Sequence, residues 1–407
     1  EGIFTHVLLL DQPGEWSITA TWTGNAQYES VTETSADITV TQENGKAIIV
    51  LGGGNRNDNP AWNSFNRVAE YVHNILIKRE FDDEEDIWFL SPDPTRTSGA
   101  DTQTTESNLQ LAITNWAKSQ VNPQVPLFVY LLSHNLEDRF LLEKRGNSEV
   151  LLSPDMLAGW LDELPDDTQV TIIIEACHSG NFITAPLIRK NRTIIVSASA
   201  DKQAKITPSL SSFSKTFFDQ INLNKTIAEA FRFSQAKMLV LRSHRSQLPQ
   251  MDANGNGRTN EPQDFAVLRE RYIPENIVSL ADPPEFVKLT EGVTLGEGIS
   301  SQRIEAELLG VGISRVVATV IPPDFDPDVR FDDWNALAFD EFDLADVGAG
   351  ETVGTTKYAA AYANFTIPGD YTVTVNAENP DGAADSVQTT ITVPANPPPL
   401  PAVKSLS

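Results

Sequence analysis

The chain has 407 residues, which predicts two to three domains at about 100–200 residues each. Its composition, 40% hydrophobic and 21% charged, is that of a folded protein. Asp and Glu total 56 against 30 Lys and Arg, giving a formal net charge of −26. Such a surface repels phosphate groups, which argues against binding to nucleic acid or anionic membranes. No apolar run approaches the ~18 residues of a membrane-spanning helix.

The first segment, residues 1–44, has the pattern of β-strands. Large and small residues alternate over residues 14–22 and 35–40, and Gly24-Asn25 lies between them as a turn. About three strands are too few to bury a sandwich core alone. We therefore expect the C-terminal part of an immunoglobulin-like β module whose beginning precedes Glu1.

The second segment, residues 45–281, alternates buried strands with amphipathic helices. Continuous apolar runs, typical of parallel strands covered on both faces, occupy residues 47–51, 87–90, 127–132, 170–174 and 193–197. Helical periodicity occurs over residues 62–78, 106–120, 154–163, 212–221 and 226–241. This alternation predicts an α/β domain with a mainly parallel sheet flanked by helices, and a hairpin over residues 138–152 beside that sheet.

The remaining residues return to a β pattern. Period-two alternation over residues 371–376 and 387–393 predicts an immunoglobulin-like sandwich over residues 282–394. Residues 395–407 are rich in proline and predict a stiff linker. We expect the chain to be part of a longer protein, with further modules at both ends.

Two reactive residues directly follow predicted strands. His134 follows the strand 127–132, and Cys177 follows the strand 170–174. Because ligands bind at the carboxyl ends of strands in open parallel sheets, neighbouring strands would bring the two together. A thiol attacks as the thiolate and an imidazole can accept its proton. A lone free cysteine is often structural, but the His-Ser-Gly that follows Cys177 favours a nucleophile.

The segment Glu175-Ala176-Cys177-His178-Ser179-Gly180 resembles the E-A-C-x-S-G nucleophile motif of the legumain family, within the larger caspase-like group of cysteine peptidases. The resemblance covers roughly residues 45–270. It implies a caspase-like α/β fold, a cysteine endopeptidase activity, Cys177 as nucleophile and His134 as base or proton donor. It also implies an oxyanion hole formed by the backbone N–H groups of Cys177 and Asn135. The family has Gly where this chain has Asn135.

The same resemblance implies residues that select the substrate. In these families the position of Glu175 lines the pocket for the residue before the cut, and Asp201 follows the next strand, where the pocket wall is built. Two carboxylates favour a cation or an amide and repel acids. We therefore expect cleavage after Asn or after Arg or Lys, the choice depending on whether Arg56 reaches Glu175. The alternative is that Glu175 only braces the nucleophile loop.

A second pattern, Asp252-Ala253-Asn254-Gly255-Asn256-Gly257, matches the first half of a calcium loop. Position twelve is Gln263, so an EF-hand is not expected, and an Asn/Gly-rich turn without metal is the alternative. A structural calcium ion held by Asp252, Asn254 and Asn256, with Glu261 or Asp264 completing the loop, is a hypothesis. No cofactor is expected for catalysis.

Three functions fit this pattern. The first is a secreted, periplasmic or cell-surface bacterial endopeptidase that cuts a protein or peptide substrate. The second is a surface or adhesion protein with a catalytically weakened peptidase domain, suggested by Asn135 and the flanking β modules. The third is a peptidase that acts mainly on itself or on one partner. The position of the single cysteine of the chain within the nucleophile motif favours a peptidase.

Overall fold

The computed structural model describes residues 14–24, 29–35, 38–40, 44–136, 139–207, 211–274, 284–310, 312–325, 340–379 and 384–395. The chain separates into two compact units, Glu1–Asn44 and Gly45–Ser407. Most of the predicted linker and the predicted boundary at residue 281 lie outside the described residues. No helix in the described part of the chain is long and apolar enough to cross a membrane.

The first unit contains two antiparallel strand pairs. Its strands are β1 (Gly14–Trp16), β2 (Thr19–Trp22), β3 (Val31–Thr34) and β4 (Ile38–Val40). Strand β1 pairs with β4, and β2 pairs with β3. The β character is as predicted, with four short strands in place of about three. The side chains of β2 and β3 are exposed, so neither strand buries a face within the described residues.

A seven-stranded sheet forms the centre of the second unit. Its strands are β5 (Lys46–Leu51), β6 (Ile87–Ser91), β7 (Thr102–Gln103), β8 (Leu127–Leu132), β12 (Val170–Glu175), β13 (Arg192–Val196) and β14 (Gln250–Asp252). The order is β14-β13-β12-β8-β5-β6-β7, and only β14 runs antiparallel to its neighbour. The mainly parallel sheet predicted from the apolar runs is confirmed.

Helices cover both faces of this sheet. They are α1 (Trp62–Lys78), α2 (Glu106–Leu111), α3 (Lys118–Gln120), α4 (Pro154–Leu161), α5 (Phe213–Asn222), α6 (Ile227–Val240) and α7 (Pro262–Leu268), with a π-helical turn at Ala112–Ala117 and a 3₁₀ turn at Ser179–Phe182. Alternate residues of β5 show why its sequence is apolar from Ala47 onward. Ile49 packs under α1 and α5 on one face, whereas Ile48 and Val50 pack under α2 and α4 on the other.

A three-stranded antiparallel sheet lies beside the central sheet. It comprises β9 (Asn135–Leu136), β10 (Arg139–Arg145) and β11 (Ser148–Leu152), in the order β11-β10-β9. The predicted hairpin corresponds to β10 and β11. Strand β9 follows His134 directly, and the backbone N–H of Leu141 donates to the carbonyl of His134 at 2.8 Å. The hairpin is therefore attached to the end of β8.

The C-terminal region is all β, as predicted. One sheet has the order β15-β17-β21-β20 and the other β16-β23-β22-β18-β19. The strands are β15 (Glu285–Leu289), β16 (Val293–Thr294), β17 (Gln302–Leu309), β18 (Arg315–Ile321), β19 (Asp340–Asp343), β20 (Ala345–Ala349), β21 (Thr355–Tyr362), β22 (Gly369–Glu378) and β23 (Ala384–Val393). Residues of both sheets, among them Ile304 and Val373, share one apolar core.

Basic side chains of the α/β region reach this β region. Arg242 donates to the carbonyls of Asp370 and Pro323, each at 2.9 Å. Lys237 donates to the carbonyl of Ser386 at 2.6 Å. These bonds from α6 and the residues after it tie the β region to the helical layer over the sheet.

Candidate active site

Strand register brings His134 and Cys177 to the same edge of the sheet. Leu132, the last residue of β8, pairs with Glu175, the last residue of β12. The backbone N–H of Ser133 continues the ladder with a 3.2 Å bond to the carbonyl of Glu175. His134 and Cys177 each follow this registered pair by two residues. They therefore emerge at the carboxyl ends of adjacent parallel strands, where such sheets bind ligands.

An asparagine orients the ring of His134. The Nε2 atom of His134 lies 3.1 Å from Oδ1 of Asn59, which also accepts the N–H of Ala61 at 2.9 Å. That second bond fixes which amide atom is the oxygen, so in the neutral ring Nε2 carries the proton and Nδ1 the lone pair. The ring of Phe65 lies 4.9 Å from the imidazole centroid and packs against it.

The imidazole is held in its neutral form. Burial lowers the pKa of His134 from 6.5 to about 4, and the positive charge of Lys144 acts in the same direction. A neutral ring at physiological pH can accept a proton. The ring is therefore neutral rather than cationic, and its low pKa makes it a weak base in this state.

Cys177 borders a small cavity of about 10 Å³. The cavity is lined by Phe65, Ser133, Glu175, Ala176, Cys177, Ala204 and Ile206. The thiol is partly exposed, and its Sγ lies 3.6 Å from the carbonyl oxygen of Ala204. A thiol in this position donates to the carbonyl and must lose its proton before the sulfur can attack as a thiolate.

Glu175 is the acid of this cavity and is 1% exposed. Its Oε2 accepts the backbone N–H of Ser214, in the first turn of α5, at 2.5 Å. Its Oε1 is buried without a hydrogen-bond partner. Burial raises the pKa of Glu175 to about 7, against the hydrogen bonds from Ser214 that lower it. One oxygen thus braces α5, while the other is unpaired in the cavity that Cys177 also lines.

The other two predicted pocket residues lie elsewhere. Neither Asp201 nor Arg56 lines the cavity at Cys177, and both are exposed. Asp201 accepts from the hydroxyl of Ser199 at 2.8 Å. Because Oε1 of Glu175 has no partner, Arg56 does not reach it. The sequence placed these residues correctly after their strands but could not place their side chains.

Asn135, the predicted second oxyanion residue, is 8% exposed and begins β9. Both polar atoms of its side chain are buried without a hydrogen-bond partner. Such groups are rare in folded proteins and are costly to bury. Asn135 therefore adds an unsatisfied amide directly after His134.

The predicted calcium loop follows β14. Oδ1 of Asp252 accepts the N–H of Gly255 at 2.9 Å, and its Oδ2 accepts that of Gly257 at 2.8 Å. Asn256 donates from Nδ2 to Glu261 at 2.8 Å. Within the described residues, no group of three or more His, Cys, Asp or Glu could hold a metal ion. Amide and backbone oxygens also bind calcium, so the ion at Asp252, Asn254, Asn256 and Glu261 stays a prediction.

Asn59 and Ala204 are site residues that the sequence reasoning missed. Asn59 lies 75 positions before His134 in the chain. The available signal was its position shortly after the first buried strand, at the same carboxyl edge. Ala204 contributes a backbone carbonyl, which no sequence pattern identifies.

Comparison with known proteins gives no family. No protein-family model matches the chain, and no curated protein matches it. Protein GSU0716 from Geobacter sulfurreducens matches over 58% of this chain and 99% of that one, at 14% identity and a TM-score of 0.39. A chimeric titin tandem matches over 28% of this chain and 51% of that one, at 19% identity and a TM-score of 0.17. Murine CRIg matches over 28% of this chain and 98% of that one, at 16% identity and a TM-score of 0.15. TM-scores below 0.5 do not establish a shared fold.

Proposed function

We propose that the chain is a cysteine endopeptidase of the caspase-like group, with a Cys177–His134 dyad and immunoglobulin-like β modules on either side. The single observation that carries the proposal is the pairing of Leu132 with Glu175, which puts the only cysteine and an oriented neutral histidine on adjacent strand ends. The E-A-C-x-S-G segment supports the same reading. Neither depends on the structural neighbours.

The proposed reaction uses the tautomer set by Asn59. His134 accepts the thiol proton of Cys177 at Nδ1, and the thiolate attacks the carbonyl carbon of the scissile bond. The backbone N–H groups of Cys177 and Asn135 stabilise the oxyanion. His134 then gives the proton to the departing amine, and water hydrolyses the thioester. Attack requires Sγ to leave the carbonyl of Ala204.

The unpaired oxygen of Glu175 supports the substrate preference. It lies in the cavity beside Cys177 and lacks a hydrogen-bond donor. Above pH 7, where Glu175 is ionised, Arg, Lys and Asn side chains each offer it N–H donors, whereas a carboxylate would bring a second acceptor into the same site. Cleavage after Asn, Arg or Lys is therefore the proposal, with Asp disfavoured.

A thiol-directed peptide probe tests the dyad. Acyloxymethyl ketone peptides ending in Asn or Arg should label Cys177 one to one, and labelling should be lost in Cys177→Ala and greatly slowed in His134→Ala. Digestion of a peptide library, read by mass spectrometry, should give cuts after Asn, Arg or Lys. Slow labelling that does not depend on His134, with no cleavage of any peptide, would overturn the proposal.

A catalytically weakened binding protein is the second candidate. It is favoured by one observation, the buried and unsatisfied amide of Asn135 in the place of the family's glycine. If this amide hinders the substrate, Asn135→Gly should raise kcat/KM on the best peptide. In that reading the β modules, outside the cell, provide the function. An inactive Asn135→Gly protein with an intact fold would favour it.

A further inference from the structure

A second and larger cavity lies at the same edge of the sheet, on the side of His134 away from Cys177. Its volume is about 260 Å³. Its walls include Asn55 after β5, Pro92 after β6, Gln103 in β7, and Glu143, Lys144 and Arg145 of β10. Since the strand order is β12-β8-β5-β6-β7, Cys177, His134 and this cavity follow one another along the edge.

Two consecutive glycines connect His134 with the cavity. A Cβ added to Gly53 would lie 3.3 Å from Cδ2 of His134, and one added to Gly54 would lie 3.0 Å from Cβ of Lys144. Both have positive φ, +82° and +86°, which side-chain-bearing residues rarely adopt. Backbone without side chains therefore separates the imidazole from the cavity wall. Only two residues of backbone lie between them, and two or three residues of extended peptide, at ~3.3 Å each, can pass along such a stretch.

Two cations, Lys144 and Arg145, and one carboxylate, Glu143, line the cavity. Lys144 bonds Glu149 at 3.0 Å, and Glu143 accepts the backbone N–H of Glu106 at 2.8 Å. Arg145 makes no ion pair with any described residue. The chain as a whole has a net charge of −26. Arg145 nevertheless places an exposed positive charge in the wall of a cavity next to the candidate dyad. Arginine binds carboxylates by two parallel hydrogen bonds.

We propose that this cavity, the β10 cavity, is a subsite for an acidic side chain on the leaving-group side of the substrate. The inference rests on the proposed peptidase function. His134 hands its proton to the departing amine, so the residues after the scissile bond leave on the side of His134. The second or third of these residues reaches the β10 cavity, where Arg145 binds its carboxylate.

Matched peptides test the subsite. Peptides share one residue before the scissile bond and carry Asp, Ala or Lys at the second or third position after it. Asp should raise kcat/KM about tenfold over Ala, the ratio that ~1.4 kcal/mol gives. Lys should lower it. In Arg145→Glu the order of Asp and Lys should reverse. Arg269→Glu makes the same charge change at an exposed residue that lines neither cavity, and should keep the wild-type order.

A binding measurement separates recognition from chemistry. A fluorescent peptide with the leaving-group sequence should bind Cys177→Ala protein about tenfold more tightly with Asp than with Ala, and lose this difference when Arg145→Glu is added. Cleavage of all peptides without an acid preference would overturn the subsite and leave the peptidase intact. No cleavage of any peptide by a folded protein would overturn the peptidase, and the leaving-group subsite with it.

Discussion

Asn59 acts on His134 through a single oxygen. Asn59→Ala removes the acceptor that sets the tautomer, so we expect kcat to fall about 10- to 100-fold, the size of effect that misorientation of a reacting group produces. The rate of Cys177 alkylation should fall in parallel. Asn63→Ala, at an exposed position in the first turn of α1, is the matched control and should change neither. Equal rates in the two variants would refute the orienting role.

Asn59 also shows which kind of site residue could not be predicted from the sequence. The sequence identified His134 and Cys177 because each directly follows an apolar run, which places it without knowledge of any other residue. The role of Asn59 depends on the contact between the loop after β5 and the end of β8. Side-chain direction in a loop is not periodic, and for the same reason Asp201 and Arg56 were assigned to a cavity that they do not line.

Glu175 makes stability depend on pH. Its pKa is raised from 4.5 to about 7, so the folded state holds a proton that the unfolded state has released between these values. Stability therefore falls as pH rises from 4.5 to 7 and stays lower above it, by up to about 3 kcal/mol at 1.36 kcal/mol per pH unit. Glu175→Gln should remove this loss.

The measurement is urea unfolding at pH 4.5 and pH 8. The free energy of unfolding of Glu175→Gln is compared with that of the wild type at each pH. The comparison should favour the variant more at pH 8 than at pH 4.5. Glu270→Gln, whose side chain is 80% exposed, is the control and should show no such gain. A Glu175→Gln protein equally destabilised at both pH values would show that the carboxylate is well solvated.

At the scale of elements, α5 connects stability with the site. The hydroxyl of Ser212 caps this helix by accepting the N–H of Lys215 at 3.0 Å, and the N–H of Ser214 holds Glu175. Ser212→Ala should cost about 1 kcal/mol and also lower kcat/KM, because the brace on Glu175 loosens. Ser153→Ala removes the equivalent cap of α4, a 3.2 Å bond to Met156 N–H, and should cost similar stability alone.

Urea unfolding and peptide hydrolysis on the two serine variants separate the effects. If both variants lose stability and neither loses activity, α5 does not position the site. Loss of activity in both would point to general loosening of the fold.

Elements that bury continuous apolar residues could be predicted from the sequence, and short ones could not. The strands β5, β8, β12 and β13 agree with their apolar runs within one or two residues, since burial on both faces selects such residues. Strands of two or three residues, such as β7, β9 and β14, have no period to detect. The predicted helix 106–120 contains a π-helical turn at Ala112–Ala117, which periodicity does not reveal.

At the scale of the molecule, composition shifts indicated a β segment, an α/β region and a second β region. The sequence did not predict the hydrogen bonds that join the α/β region to the second β region. Arg242 and Lys237 reach backbone carbonyls of the β region, and no pattern identifies a carbonyl as a partner. The net charge of −26 argues against binding to nucleic acid or anionic membranes. It does not indicate where on the surface the exposed Lys and Arg side chains lie.

The reversed direction of β14 separates the predicted calcium loop from the chemistry. Because β14 alone is antiparallel, it ends where its neighbours begin, and Asp252 pairs with Ile194 near the start of β13. Gly255 lies against Arg189, which precedes that strand. An ion here would bind at the edge of the sheet where the parallel strands begin, opposite the candidate dyad. It could stabilise the loop but could not contact a substrate. Calcium should raise the melting temperature of the wild type and leave its kcat/KM unchanged. In Asp252→Ala, calcium should no longer change the melting temperature. A kcat that depends on calcium would instead place the ion at the carboxyl ends of the strands, beside the candidate dyad.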